Sequence, residues 1–291
     1  MIIVELNGGL GNQLFQYAAG LSLSLHHNVP LKVNPLSFSK PDPITGTKRQ
    51  LELNNFEGSP VIASEKEIES LLQQPSAIRL LEKGLPFHKR KVYKEKGMSF
   101  DPNFFKSRKE TYLKGNRQSE KYFKAFDNEI RQLLTVNKTV VSNAVISYAE
   151  LLHGQHSISI HIRRGDYLTQ IALDVLGILP VEYYQRAISY FTEKINTPVF
   201  HIFTDDTEWV KTNLKLECDY SIVSDTISKT AMEDFYLMQN CKHNIIANST
   251  FSWWSAWLNN SPDKTVIAPL KWYNSPSFDN KDLIPTNWIR L

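Results

Sequence analysis

Residues 157–203 constrain the fold more than any other part of the chain. In Ser157–Ile162, Ile158, Ile160 and Ile162 alternate with Ser157, Ser159 and His161, the period of two expected of a strand. An apolar stripe follows at helical spacing through Val181, Tyr184, Ile188, Phe191 and Ile195, with Pro180 just ahead, where its fixed φ suits a helix start. Residues 199–203 then form a second run of β-formers. Strand, helix and strand in that order make a crossover unit, which requires a parallel sheet with helices laid over it.

Half of the same unit opens the chain. Residues 2–6 are an apolar run, Asn7, Gly8, Gly9 and Gly11 follow as a loop, and Leu14, Ala18, Leu21 and Leu25 continue at helical spacing. Towards the other end, Thr230 and Glu233 suit a capping box ahead of a helix reaching about His243, and 245–247 and 265–268 read as further strands. A chain of 291 residues exceeds the size at which one core usually stops growing, so two parallel-sheet α/β domains are expected, 1–150 and 151–291, with a cleft between them for a ligand. The stretch 35–60 is rich in Pro, Asn and Ser, and the polar mixture that follows it predicts elements only weakly.

Composition removes several classes of function. Hydrophobic residues at 42% and charged residues at 22% exclude a disordered chain or a coiled coil. Thirty-three Lys and Arg against thirty Asp and Glu leave a formal charge of +3, too small a bias for nucleic acid to be the main partner. One local excess, KGLPFHKRKVYKEK at 83–96, sets basic residues around two aromatics and suits anionic lipid, an acidic acceptor or plain solvation. Cys218 and Cys241 lack metal-ligand spacing, as do the eight histidines. The opening MIIVELNGG has neither the basic region nor the apolar core of a signal peptide, and no window approaches ~18 apolar residues. The expectation is a soluble cytoplasmic protein with at most peripheral membrane contact.

Four clusters carry chemistry. The first is HIRRGDY at 161–167, directly after the alternating strand: His161 and Arg163 share one face, and a guanidinium at a strand end can grip a diphosphate with paired hydrogen bonds. An arginine pair bracing a domain interface through Asp166 is the competing reading. The second is Asn248, Ser249, Thr250, Phe251 and Ser252, hydroxyls and amides at a helix start, which suit an anion or an ordinary cap. The third is the glycine loop, where Gly8, Gly9 and Gly11 permit close backbone approach and Asn12 and Gln13 offer amide contacts; its spacing matches neither G-x-G-x-x-G nor a P-loop. The fourth is Thr204, Asp205 and Asp206 at a strand end, able to hold a divalent metal, a ribose or the start of the next helix.

GGLGNQLFQYA, HIRRGDY, FTDD and NSTFSWWSAWLN, in this order and at these distances, resemble the bacterial α-1,2-fucosyltransferases and, more remotely, the α-1,6- and protein O-fucosyltransferases. The resemblance runs from residue 5 to the tail at Trp288 and is thinnest over 35–150. It implies a GT-B-type α/β architecture, two Rossmann-like domains facing across a cleft, with GDP-fucose held mainly by 151–291, the acceptor mainly by 1–150, and the tail able to pack back on the first domain. Arg163 matches the arginine on the β-phosphate and His161 a donor-site histidine. Ser249, Thr250 and Ser252 match a phosphate loop, and Gly9, Gly11 and Asn12 an amino-terminal loop facing the donor. In the distant relatives an aspartate before the phosphate loop holds the guanine; Asp234 is the nearest match, with Glu233 beside it. No residue aligns with the catalytic glutamate of the α-1,6 enzymes.

The activity so implied is inverting transfer of L-fucose to the 2-hydroxyl of a terminal galactose, on a free or lipid-linked glycan, without cofactor or metal. Asp166 stands either as the base for the acceptor hydroxyl or as a residue that orients an arginine. Two other readings remain at this stage. One is a metal-dependent transferase of another nucleotide sugar using Asp205 and Asp206; the other is a noncatalytic carbohydrate-binding module that stacks sugars on the six tryptophans.

Overall fold

The computed structural model describes residues 1–216 and 218–291, with every side chain among them except that at position 79. Two compact units emerge: Met1–Pro43, Thr47–Thr135 and Ser277–Pro285 form the first, and Ile44–Gly46, Val136–Pro276 and Thr286–Leu291 the second.

The first unit contains β1 (Ile2–Glu5), α1 (Leu10–His27), β2 (Leu31–Asn34), α2 (Glu65–Leu72), α3 (Ser76–Lys83), β3 (Val92–Lys94), β4 (Thr111–Lys114) and α4 (Asp127–Leu133). Its four strands are parallel in the order β2-β1-β4-β3. The opening strand, glycine loop and helix take the expected places. Ile3, Ala63, Ile68, Leu71 and Tyr112 form one core cluster, closed from outside by α2, which starts at a full capping box between Ser64 and Glu67. Residues 277–285 return to this unit, where Asp282 accepts from Phe100 N at 2.8 Å and pairs with Lys121 at 2.5 Å.

Helix α1 lies so close to β1 that one position tolerates only glycine. A Cβ on Gly20 would stand 2.2 Å from Val4 Cγ2 and 3.0 Å from Leu31 Cδ1. Gly20→Ala is therefore expected to destabilise the protein, because overpacking costs about 1–3 kcal/mol and outweighs the roughly 1 kcal/mol that alanine gains as a helix former. Denaturant unfolding checks this; a variant as stable as the parent would mean that Val4 yields without cost.

The second unit contains α5 (Asn143–His153), β5 (Ser157–Ile162), α6 (Gln170–Val175), α7 (Val181–Lys194), β6 (Val199–Thr204), α8 (Thr207–Asn213), β7 (Tyr220–Ile222), α9 (Ala231–Asn240), β8 (His243–Ile245), α10 (Thr250–Leu258), β9 (Val266–Ala268) and β10 (Ile289–Arg290). All six strands are parallel, in the order β10-β9-β8-β5-β6-β7. Every residue of β5 is buried, as befits a central parallel strand covered on both faces. The stripe read from the sequence covers one of those faces: Tyr184, Ile188 and Phe191 of α7 pack with Val210 of α8 and Leu214 just beyond it against Ile158, Ile160 and Ile202.

Two expectations change. The change from first to second unit falls between 135 and 136, ahead of the expected 150, because α5 buries Val145, Ala149 and Leu152 and packs on α9, and Ser142 N donates to Glu233 Oε1 at 3.0 Å. The tryptophans are core residues. Trp253, Trp254, Trp257, Trp272 and Trp288 are buried, and Trp209 lies under the Arg164 guanidinium, so none is an open platform for sugar stacking. That removes the basis of the binding-module reading.

Candidate active site

The site is built at the carboxyl edge of the second unit's sheet, and strand register assembles it. Parallel pairing sets Ile162 of β5 opposite Thr204 of β6, so the next residues, Arg163 and Asp205, emerge side by side. Arg163 Nη1 lies 2.9 Å from Asp205 Oδ2, and Nη2 donates to Asp166 Oδ1 at 2.5 Å. Its guanidinium centre also stands 5.5 Å from the Tyr167 ring. Burial works against the charge of Arg163, but Asp205 and Asp166 outweigh it and hold its pKa above the ordinary value. A quarter of the side chain stays exposed, which leaves guanidinium surface for a further anion.

Arg164 turns elsewhere, as alternation requires. Its N–H donates to Asp205 Oδ1 at 2.8 Å, its Nε to Asp206 Oδ2 at 3.0 Å, and its guanidinium covers Trp209 at 4.3 Å. Asp206 also starts α8 by accepting from Trp209 N at 3.0 Å. The two aspartates offered as metal ligands are thus engaged by guanidinium and amide groups. Among the described residues no group of three or more His, Cys, Asp or Glu is arranged to hold a metal ion. Gly165 closes the network: a Cβ there would lie 2.6 Å from Asp205 Oδ2. His161 is buried, its ring 5.6 Å from that of Phe251, and its Nδ1 has no hydrogen-bond partner among the described residues. Burial, then the Arg163 charge, push its pKa down to about 3, so the ring is neutral at pH 7.

At the next strand end, Ser249 occupies the N-cap of α10 and makes no capping bond through its side chain. Thr250 follows half-buried at the first turn. The Ser252 side chain is wholly buried and its hydroxyl donates to Ser249 O at 3.3 Å. The i to i−3 hydrogen bond within the helix turns it inward. Sequence reasoning missed the weight carried by Asn248. Its Nδ2 donates to the carbonyls of Leu176, Gly177 and Trp272 at 3.0, 3.2 and 3.2 Å, and its own carbonyl accepts from Tyr167 Oη at 3.2 Å. An asparagine at a strand-to-helix junction was the available signal.

Asp234, at the start of α9, accepts from Ser224 Oγ at 2.8 Å and from Ser228 Oγ. Ser224 Oγ accepts from Thr204 N at 2.9 Å, which ties this group to the end of β6. Burial pushes the Asp234 pKa up to about 6, with the two serine hydroxyls opposing the rise. Glu233 is committed differently. It accepts from Ser142 N and Lys229 N at 3.0 and 2.7 Å, and although burial disfavours its charge, those N–H groups hold its pKa below the usual carboxylate value.

In the first unit the glycine loop is braced from within. Gly8 has φ +73°, a conformation glycine adopts without strain, and Gly9 is the N-cap of α1, with Arg49 Cζ 3.6 Å from where a Cβ would be. Gly11 is buried in the first turn and Asn12 Oδ1 accepts from Gln118 at 2.9 Å. Gln13 is fully buried, donating to Gly8 O and Gln50 O at 3.1 and 2.8 Å and accepting from Glu52 N at 3.0 Å. Its expected amide contact with a ligand is therefore corrected to a brace between loop segments.

The family model described as glycosyl transferase family 11 matches residues 68–291. The chain belongs to this family. Over 302 residues it is 31% identical to the α-1,2-colitosyltransferase of Escherichia coli, covering 100% of this chain and 99% of that protein. It is 32% identical over 301 residues to the O-antigen biosynthesis glycosyltransferase WbnK of Escherichia coli, with 98% and 99% covered. With human galactoside α-(1,2)-fucosyltransferase 1 it shares 27% identity over 154 residues, 50% of this chain and 42% of that one.

As a family 11 glycosyltransferase, the protein must separate a sugar from its leaving group and direct it to an acceptor. The second unit brings together an exposed quarter of Arg163, the start of α10 at Ser249 and Thr250, and the two carboxylates that hold the arginine. A guanidinium and a helix start on one sheet edge are the kind of groups that favour an anion.

Proposed function

We propose that the protein transfers L-fucose from GDP-fucose, with inversion, to the 2-hydroxyl of a terminal galactose on a free or lipid-linked glycan. The observation that carries the reading is Arg163, charged and partly exposed at the end of β5, on the same sheet edge as Ser249, the N-cap of α10, because β5 pairs with β8. In this reading Arg163 and the N–H groups at Ser249 and Thr250 stabilise charge growing on the departing diphosphate, while His161 lines the donor site as a neutral ring. Asp234 accepts from the guanine N–H groups. Gly9, Gly11 and Asn12 face the donor from the amino-terminal unit, which supplies most of the acceptor site. Asp166, at 2.5 Å from Arg163, acts as the group that orients the arginine. The base reading separates from this in Asp166→Asn: a base loses turnover with GDP affinity intact, whereas an orienting residue loses both together.

No cofactor or metal enters the proposed step. Transfer after exhaustive chelation is expected at the untreated rate; complete loss, restored by manganese, would overturn this. No helix among the described residues is long and apolar enough to cross a membrane, and we place the activity in the cytoplasm. The 31% identity to a colitosyltransferase over the whole chain favours a second reading, in which the donor sugar is colitose. Both are tested by offering GDP-fucose and GDP-colitose with lactose, N-acetyllactosamine and a β-1,3-linked galactose disaccharide, and measuring the product linkage. Expected is an α-1,2-fucosylated product; transfer from GDP-colitose alone would select the second reading.

A further inference from the structure

Helix α3 departs from the pattern of every other long helix in the first unit. Its neighbour α2 buries Ile68 and Leu71 in the core, whereas α3 leaves Ile78 48%, Leu80 67% and Leu81 77% exposed. Leu72 and Leu85, on either side, are 41% and 42% exposed. Isolated exposed leucines are ordinary, but five large apolar side chains in such a short stretch form a patch that asks for a partner.

The chain directly after α3 states what kind of partner. Arg90 folds back on the helix end, donating through Nε to Leu85 O and through Nη2 to Lys83 O, each at 2.9 Å. Its guanidinium lies 4.3 Å from the centre of the Phe87 ring, and Lys96 Nζ lies 5.7 Å from the same ring. These contacts place the basic segment beside the exposed leucines. Lys83, Lys89, Lys94 and Lys96 are exposed, and none of them stands in an ion pair with a carboxylate among the described residues. The nearby Glu82 is engaged by Arg108 at 2.9 Å.

We infer that α3 and the segment to Lys96 form a peripheral docking surface for an anionic lipid bilayer, with Leu80, Leu81 and Leu85 entering the headgroup boundary and the lysines meeting lipid phosphates. Apolar residues on one side and Lys or Arg on the other is the composition of a helix that lies in a membrane interface. The long lysine stems let their ammonium groups reach headgroups while the leucines sink deeper. A second copy docked on the same patch would oppose like charges, and a nucleic acid would leave the leucines in water.

Flotation of the full chain with vesicles tests this, using phosphatidylcholine alone and phosphatidylcholine mixed with phosphatidylglycerol, at low and high salt. The protein is expected to float with the mixed vesicles at low salt and to stay behind with the neutral ones. Lys83→Glu, Lys94→Glu and Lys96→Glu together should lower the partition by at least roughly a hundredfold, since each basic residue near the surface contributes about fivefold. Leu80→Asp with Leu81→Asp should abolish flotation while the lysines remain. Both variants should keep transfer to a soluble acceptor, because none of these residues is assigned to the chemistry. Absence of flotation by the parent overturns the inference, as does equal binding to both vesicle types or binding unaltered by both variants. A dimer in solution that Leu81→Asp dissolves would overturn it in favour of an interface between copies.

Discussion

Arg163→Lys is expected to lower both GDP affinity and turnover, by roughly ten- to a hundredfold. A lysine keeps one charge but loses the planar fork, and the fork is what lets Arg163 hold Asp205 and Asp166 and still present N–H groups outward. A charge-assisted hydrogen bond contributes about 1.5–3 kcal/mol, which sets that range for the loss of one such bond to a phosphate oxygen. Calorimetric GDP binding and steady-state transfer measure the two effects, and circular dichroism establishes that the variant is folded. Arg164→Lys is the control: its partners are Asp206 and the Trp209 ring, so stability should fall more than GDP affinity. Parent values for both quantities in Arg163→Lys would remove the arginine from the donor site.

Asp234→Ala should collapse the preference for GDP over ADP by on the order of a hundredfold or more, which is the loss of about two hydrogen bonds to a carboxylate. A carboxylate has about four acceptor positions, and Ser224 and Ser228 occupy two, leaving room for two guanine N–H groups. The reading also has a pH signature. With its pKa pushed up to about 6, Asp234 is largely ionised at pH 7 and gains a proton as pH falls through 6, so GDP affinity should weaken there while ADP affinity changes little. Stability moves in the opposite sense. The folded state holds this proton more tightly than the unfolded chain, so the contribution of Asp234 to stability is present below the ordinary carboxylate value near 4 and is lost as pH rises to about 6. Competition assays with GDP and ADP across this window test the first, and denaturant unfolding at the same pH values tests the second. Discrimination that survives Asp234→Ala would pass the reading role to backbone groups, since Glu233 is already held by Ser142 and Lys229.

Much of the second unit was legible because its signals are local. Alternation in Ser157–Ile162, the apolar stripe of α7 and the Thr230 cap, whose side chain accepts from Glu233 N, each depend on residues a few positions apart. HIRRGDY likewise ends a strand and NSTFSWW follows shortly after one, where the carboxyl edge of a parallel sheet places ligands. The weak stretch after residue 35 proved to hold α2, α3 and three-residue β3, elements too short or too polar for periodicity to mark, and α3 shows no buried stripe among its described side chains.

By itself, then, the sequence determined the parallel α/β class, the central strand and the residues that end it, because side-chain period and turn chemistry act over a few residues. Alternation also separated Arg163 from Arg164, but tertiary structure alone decided which partners those residues meet. Asp205 lies 41 positions beyond Arg164 yet touches it, because the register of β5 and β6 aligns their ends. Ser252 and Gln13 look like ligand groups in the one-dimensional chain but turn inward, where a buried polar group bonds to the protein's own carbonyls. Residues 277–285 join the first unit through Asp282, a choice made by Phe100 and Lys121 from more than 150 positions away. No local pattern encodes such pairings, because their free energy exists only once both partners are held in place by the folded chain.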